Sequence, residues 1–412
     1  MAVAGVIAEY NPFHRGHAWQ LAEVRRRLGG DTAVIACMSG NFVQRGDFAV
    51  LGKHARAEMA LAGGADLVLE LPTPWSAAGA ERFAQGGVAV LEATGVVTHL
   101  VFGCECGALE PLETVAECLD SETYHAGVTR FTGEGMTFAA ARQAVVQALL
   151  ERKGNGEAAE CLSSPNNALA VEYLRALHTW GSGIIPLALP RTGAGHDSGE
   201  ENLIPSASVI REKILTGGDW RSMLPETSAA VLSREMAAGR APVTWQACQR
   251  AILARLRTMD EEDFRVYDGG NEGLYHRFYA AVHSETTIDG ILAAAKTKRY
   301  PLARLRRMLM QAYLGVPQAA QGETPPYIRV LGANERGRTL LGQMRKTASL
   351  SVITKPGHVR RLDREAQRVF DQEAQCTDLY VLACPDLGQA GPESEYAAGP
   401  VMPGALQMEN IL

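Results

Sequence analysis

Residues 2–19 read AVAGVIAEYNPFHRGHAW. Val3, Gly5, Val6 and Ile7 make a short apolar run of the kind that forms a buried strand. The run breaks at Asn11-Pro12. A helical pattern starts near His14 and puts Leu21, Val24 and Leu28 on one face. The order is strand, tight polar turn, helix. His14 and His17 stand at the helix start and share a face. Gly16 between them has no side chain, so a ligand can come close to the backbone. Free N–H groups and the positive dipole end favour phosphate at such a place. Two imidazoles add donors that can follow charge developing on a triphosphate. The competing interpretation is a pair of helix-cap histidines with no chemistry; the preceding strand and the Asn-Pro-Phe turn weigh against it.

The pattern continues outward from this stretch. Strands are predicted at 31–38, 66–71, 99–103 and 184–189, and helices at 53–62 and 81–93. Helical patterns fill 110–160. Another helix opens at Ser164-Pro165-Asn166-Asn167, with Ser164 or Asn166 as its candidate cap. A glycine-rich polar loop covers 190–197, and a further helix starts at Ser206-Ala207-Ser208. Strands alternating with helices at this spacing predict an α/β fold with a Rossmann-like, doubly wound parallel sheet. Ligands in such sheets sit at the carboxyl ends of the strands. The ends here are Glu9-Tyr10-Asn11, Ser39-Gly40 and Gly103, and one pocket can hold all three.

The 412 residues suffice for two domains, and the composition is that of a soluble globular chain. The strand-turn pattern stops near 220, which predicts a Rossmann-like domain over 1–220 and a mainly helical domain over 221–385. Residues 386–412 carry acids, Gly and Pro but no Lys or Arg, and are expected to be a flexible tail. The net charge of −6 argues against a generally basic nucleic-acid coat. It leaves room for a local basic face. Lys296, Lys298, Arg299, Arg304, Arg306 and Arg307 lie close together with no acid between them, and Arg345, Lys346, Lys355, Arg360 and Arg361 form a second cluster. One such run is ordinarily a solvated face; two in an acidic chain point to contacts with an RNA backbone. The eight cysteines are scattered apart from Cys104 and Cys106, and no metal site is expected. No membrane-length apolar run or signal peptide is visible, so a cytoplasmic protein is expected, with neither membrane nor DNA as a partner.

His14-Arg15-Gly16-His17 matches the H-x-G-H signature of the nucleotidylyltransferase superfamily, with Arg15 at the variable position. The longer strings EYNPFHRGH and, from Met38 to Val50, MSGNFVQRGDFAV resemble the tRNA(Met) cytidine acetate ligase family. That resemblance implies activation of acetate by ATP as acetyl-AMP. Acetyl transfer to the exocyclic amine of the wobble cytidine of elongator tRNA(Met) then gives N4-acetylcytidine. It implies His14 and His17 as catalytic residues. The implied ATP pocket comprises Ile7, Ala8, Glu9, Tyr10, Asn11, Pro12, Phe13, His14, Arg15, Gly16, His17, Ala18, Trp19 and Gln20, with Gly103, one of Asn166 and Asn167, and Arg191 with Thr192. In the superfamily an S-x-S/T-x-I-R segment grips the triphosphate, and Ser206, Ser208 and Arg211 match it. Mg2+ is expected with ATP, held largely by phosphates and water. Two other functions fit parts of the pattern: a transferase joining AMP to a phosphorylated small molecule, and a non-catalytic tRNA-binding protein.

Overall fold

The computed structural model describes residues 1–190, 205–270, 273–388 and 395–403. The strands among them are β1 (Val3–Ala8), β2 (Ala33–Ser39), β3 (Phe42–Val43), β4 (Asp47–Phe48), β5 (Leu67–Leu71), β6 (His99–Cys104), β7 (Ile185–Pro190), β8 (Ile328–Ala333) and β9 (Val352–Ile353). Seven form one sheet in the order β7-β6-β1-β2-β5-β8-β9, while β3 and β4 make a separate antiparallel hairpin. From β7 to β5 all neighbours run parallel. These strands are near-continuous apolar runs because helices cover both faces. Phe83, Leu91, Val171 and Leu174 pack on one face, and Leu21, Val24, Met59 and Ile210 on the other.

The chain steps outward from β1 through β2 and β5, then returns to the far side of β1 for β6 and β7. The switch point therefore lies between β1 and β6, where open α/β sheets bind their ligands. The predicted doubly wound sheet is borne out, and helix Lys53–Ala62 has the bounds expected for it.

Two features differ from the sequence-based expectation. The sheet does not end with the first 220 residues: β8 pairs antiparallel with β5, and β9 pairs parallel with β8. The run Ile328–Ala333 is broken by Arg329, which hides a buried strand from pattern reading. That charge is answered within the protein by Glu395 and, at 3.5 Å, by Glu70. The second difference concerns the expected tail at 386–412. Glu395 is buried and pairs with Lys53 at 2.5 Å, and Val401 bridges to Gly332 of β8. Its acids have no local bases, but bases from β8 and helix Lys53–Ala62 meet one of them. Residues 389–394 and 404–412 lie outside the described residues.

Beyond 220 the chain is otherwise mostly helical, with a core that includes Ile252, Phe278, Leu305 and Tyr313. Phe42 and Phe48 of the β3–β4 hairpin belong to this core. The hairpin thus plugs the sheet region into the helical region. Among the described residues no helix is long and apolar enough to cross a membrane.

Candidate active site

β1 delivers Glu9 to a turn that ends at His14. Tyr10 sits at φ 47°, left-handed for a residue with a Cβ, and the Asn11-Pro12 peptide is cis. The Tyr10 backbone conformation costs on the order of 1–3 kcal/mol and persists only where packing dictates it. The Tyr10 ring stands edge-on to Phe13 at 4.9 Å and to His17 at 4.8 Å. The Asn11 side chain accepts a 2.8 Å hydrogen bond from the Val50 amide, fixing the turn to the segment after the hairpin.

His14 is the N-cap of helix Arg15–Leu28. Its Nδ1 accepts from the Gly16 amide at 3.0 Å, and His17 Nδ1 accepts from the His14 amide at 3.2 Å. The two rings stack 3.8 Å apart. The expectation of free amides at this helix end needs correction, because the histidines consume the Gly16 and His14 N–H groups. What the arrangement supplies instead is a fixed tautomer. With both Nδ1 atoms accepting, both imidazoles carry their hydrogen on Nε2, the donor edge.

Arg211 brings the second half of the site. Ser206 caps helix Ala207–Thr216, its Oγ accepting from the Val209 amide and lying 2.8 Å from Ser208 Oγ. Both serines are exposed, and Arg211 Nη1 donates to Asn11 O at 2.8 Å. The H-x-G-H turn and the Ser-Ala-Ser-Val-Ile-Arg helix therefore meet. Within 7–20, Tyr10, Asn11, Pro12, Phe13 and His14 are buried, Arg15 is exposed, and the others are half-buried. Arg15 is tied to Ser222 O at 2.8 Å.

Gly103 is the penultimate residue of β6, across the switch point. Asn167 is buried, and its Oδ1 accepts from the Glu105 and Cys106 amides at 2.7 and 3.2 Å, so it holds the loop after β6. The Glu105 carboxylate accepts from the Asn167 amide at 2.9 Å and from the Asn166 side chain. Glu105 thus caps helix Pro165–Thr179, and Ser164 makes no side-chain cap bond. Arg191 and Thr192 lie outside the described residues.

Sequence reasoning missed Arg56. Fully buried, it donates from Nη1 to Glu9 O at 2.6 Å, from Nη2 to Ser39 O at 3.1 Å and to Gly40 O, and from Nε to Leu51 O at 3.0 Å. It clamps the ends of β1 and β2 together. Burial pulls its pKa down to about 10, which leaves it charged at neutral pH. In KHARAEM it looks like one more solvated charge, and only the tertiary fold reveals its partners. Glu9 accepts from the Gln44 amide at 3.0 Å, and burial pushes its carboxyl up against the pull of Arg211, Arg45 and Arg56. Among the described residues no cluster of three or more His, Cys, Asp or Glu side chains could cage a metal ion.

The basic residues divide. Lys296, Lys298 and Arg299 are exposed. Arg304 and Arg307 approach Asp268 at 3.3 and 2.6 Å, and Arg306 stacks 4.9 Å over the Trp245 ring. Arg345, Lys346, Lys355, Arg360 and Arg361 are exposed.

Known proteins resemble this chain along nearly its whole length. The HIGH Nucleotidyl Transferase family model matches residues 1–393. The tRNA(Met) cytidine acetate ligase of Halothermothrix orenii is 35% identical over 406 residues, 94% of this chain and 96% of that protein. The enzyme of the same name from Acetivibrio thermocellus is 36% identical over 95% of this chain and 98% of its own. The chain belongs to the tRNA(Met) cytidine acetate ligase family of HIGH nucleotidyl transferases. Thermotoga maritima TmcAL, solved with alpha-thio ATP, superposes with a TM-score of 0.91 at 34% identity, covering 98% of this chain and 99% of that one. Its apo form gives 0.92. The expected fold and ligase class are borne out across both halves of the chain.

Proposed function

We propose that this chain activates acetate with ATP and transfers the acetyl group to the wobble cytidine of elongator tRNA(Met). The observation that carries this reading is the meeting of His14, His17 and Arg211 on one turn at the sheet's switch point. The proposed ATP site runs along Ile7–Gln20 and Gly103, takes in Asn166, and puts Ser206, Ser208 and Arg211 on the phosphates; the family resemblance adds Arg191 and Thr192 to the set. Asn167 serves by holding the loop. Mg2+ brought in with ATP would be held by phosphates and water rather than by a protein cage, and would supply neutralisation of phosphate charge.

The acetate carboxylate already is a nucleophile. The site therefore needs to hold it in line with the α-phosphate and exclude water. The two Nε2–H donors and the Arg211 fork take up charge as pyrophosphate leaves. The resulting mixed anhydride is reactive enough to acylate the cytidine amine, whose lone pair is delocalised into its ring. Lys296, Lys298, Arg299, Arg304, Arg306 and Arg307 form the tRNA face, with the exposed three meeting phosphates directly.

Nucleoside analysis of tRNA(Met) incubated with the protein, ATP and labelled acetate tests this. Labelled N4-acetylcytidine is the expected product. Label in a dinucleotide-like small molecule, or none in tRNA, refutes it.

A further inference from the structure

The β3–β4 hairpin spans the distance from the phosphate site to the basic helix Leu302–Leu314. At one end Gln44 N donates to Glu9, at the end of β1. At the other, Gly46 has φ 70° and packs so closely on the helix that a Cβ would stand 2.4 Å from the Arg306 carbonyl carbon and the Arg307 nitrogen. Phe48 packs against Tyr313 of the same helix and against Tyr380. The hairpin is therefore fixed at both ends, and a side chain on it has a defined place.

Asp47 is that side chain. It is half-buried, with the charges of Arg211 and Arg306 acting on it from two different helices. The Phe48 amide donates to its Oδ1 at 2.9 Å and sets the carboxylate's orientation. Oδ2 has no hydrogen-bond partner among the described residues. Both arginines are engaged elsewhere, Arg211 on the Asn11 carbonyl and Arg306 on the Trp245 ring. A carboxylate oxygen is thus left available between the residues that hold the nucleotide and the helix that faces the RNA.

We propose that Asp47 is the general base of the acetyl-transfer step, taking the proton that the cytidine amine loses as it attacks the acetyl carbonyl. This rests on the function proposed above. The N4 lone pair forms the new C–N bond. The bond between the acetyl carbon and the phosphate oxygen of AMP breaks, and its electron pair leaves on that oxygen. The N4 proton passes to Asp47 Oδ2 and from there to water. The products are N4-acetylcytidine and AMP, with no oxidant or further reactant needed.

Burial pushes the Asp47 carboxyl up against the pull of Arg306 and Arg211. A base whose pKa lies nearer the working pH is the more effective one. Glu9 carries a similar upward push, but its Oε1 holds the hairpin and three arginines act on it.

The test uses enzyme preloaded with ATP and labelled acetate, freed of excess ATP and mixed rapidly with tRNA(Met). Asp47→Asn keeps an acceptor for the Phe48 amide. Its transfer rate is expected to fall about 100- to 10,000-fold, far more than its rate of acetyl-AMP formation. The wild-type transfer rate should rise with pH through the carboxyl titration and then level off, and the variant should lose that rise. Asp47→Glu should recover part of the rate. Wild-type transfer by Asp47→Asn, or an unchanged pH profile, overturns the proposal and hands the proton to the leaving phosphate or to Glu9. Equal losses in both half-reactions also overturn it, because Asp47 would then organise the nucleotide site. If wild-type enzyme forms no acetyl-AMP, the functional reading fails and this proposal fails with it.

Discussion

Arg211 donates a 2.8 Å hydrogen bond to the carbonyl of Asn11, 200 positions away in sequence. One nitrogen of its fork thus fixes the turn before His14, and the proposed function gives the guanidinium the departing phosphates as its second task. Arg211→Ala should lower acetate-dependent pyrophosphate release by about 100- to 1,000-fold, the usual loss for one preorganised donor. The stability loss should be only about 1 kcal/mol, the net worth of one such bond. Parallel assays of pyrophosphate release and urea unfolding check both numbers. A large stability loss with matching activity loss would make Arg211 structural.

Lys53 is buried beneath the sheet end with Glu70 at 2.5 Å, Glu373 at 3.2 Å and Glu395 at 2.5 Å. Lys53→Met leaves three carboxylates around an apolar side chain, with Arg329 as the remaining cation. Breaking a buried pair in this way costs about 3–5 kcal/mol. Denaturant unfolding should show that loss. The segment around Glu395 should also become sensitive to protease, since Lys53 holds it in place. An unchanged midpoint would mean the cluster contributes nothing net.

His54 has both ring nitrogens buried without a hydrogen-bond partner among the described residues. Burial, reinforced by Lys53, pulls its pKa down to about 4 from 6.5. The unfolded chain therefore binds more protons than the folded one between those values. Stability rises with pH through that window, by up to about 1.4 kcal/mol per pH unit, and this contribution is lost as the solution is acidified. His54→Asn should flatten the slope relative to wild type. Urea midpoints measured across the window decide it, and parallel slopes for the two proteins would contradict the assignment.

The proposed tRNA face separates into exposed and engaged charges. Reversing Lys296, Lys298 and Arg299 together should weaken tRNA binding much more than acetyl-AMP formation. The salt slope of binding should fall by about one unit for every phosphate that no longer meets a cation. Arg307→Glu should instead destabilise the fold, because Asp268 is buried and pairs with Arg307 at 2.6 Å. Unchanged affinity and slope in the triple variant would move the RNA site toward Arg345–Arg361.

The local rules of strands and helices made the first half of the fold legible. Val3–Ala8, Leu67–Leu71 and the H-x-G-H turn announce themselves through apolar runs, turn residues and spacing. β8 did not, because Arg329 breaks its pattern and is neutralised by Glu70 and Glu395 from remote segments. Arg56 was invisible for the same reason: its partners are backbone carbonyls from three separate segments. The spacing of the histidines marks them as candidate site residues, but it does not give their orientation. No spacing rule says that their Nδ1 atoms consume the amides expected to bind phosphate. The Asp268 pairing of Arg304 and Arg307 likewise separates structural cations from exposed ones within a single run.

The proposed function has His14 and His17 support attack of free acetate on the α-phosphate of ATP. A single-turnover reaction without tRNA tests it most directly, using wild-type enzyme and the His14→Ala and His17→Ala variants with labelled acetate and ATP. Wild-type enzyme should form bound acetyl-AMP and pyrophosphate, and added tRNA(Met) should discharge it as AMP without further ATP. Each folded variant should form acetyl-AMP about 100- to 1,000-fold more slowly. Cleavage of ATP to ADP and phosphate, modification from acetyl-coenzyme A alone, or near-normal acetyl-AMP formation by a folded double variant would contradict the account.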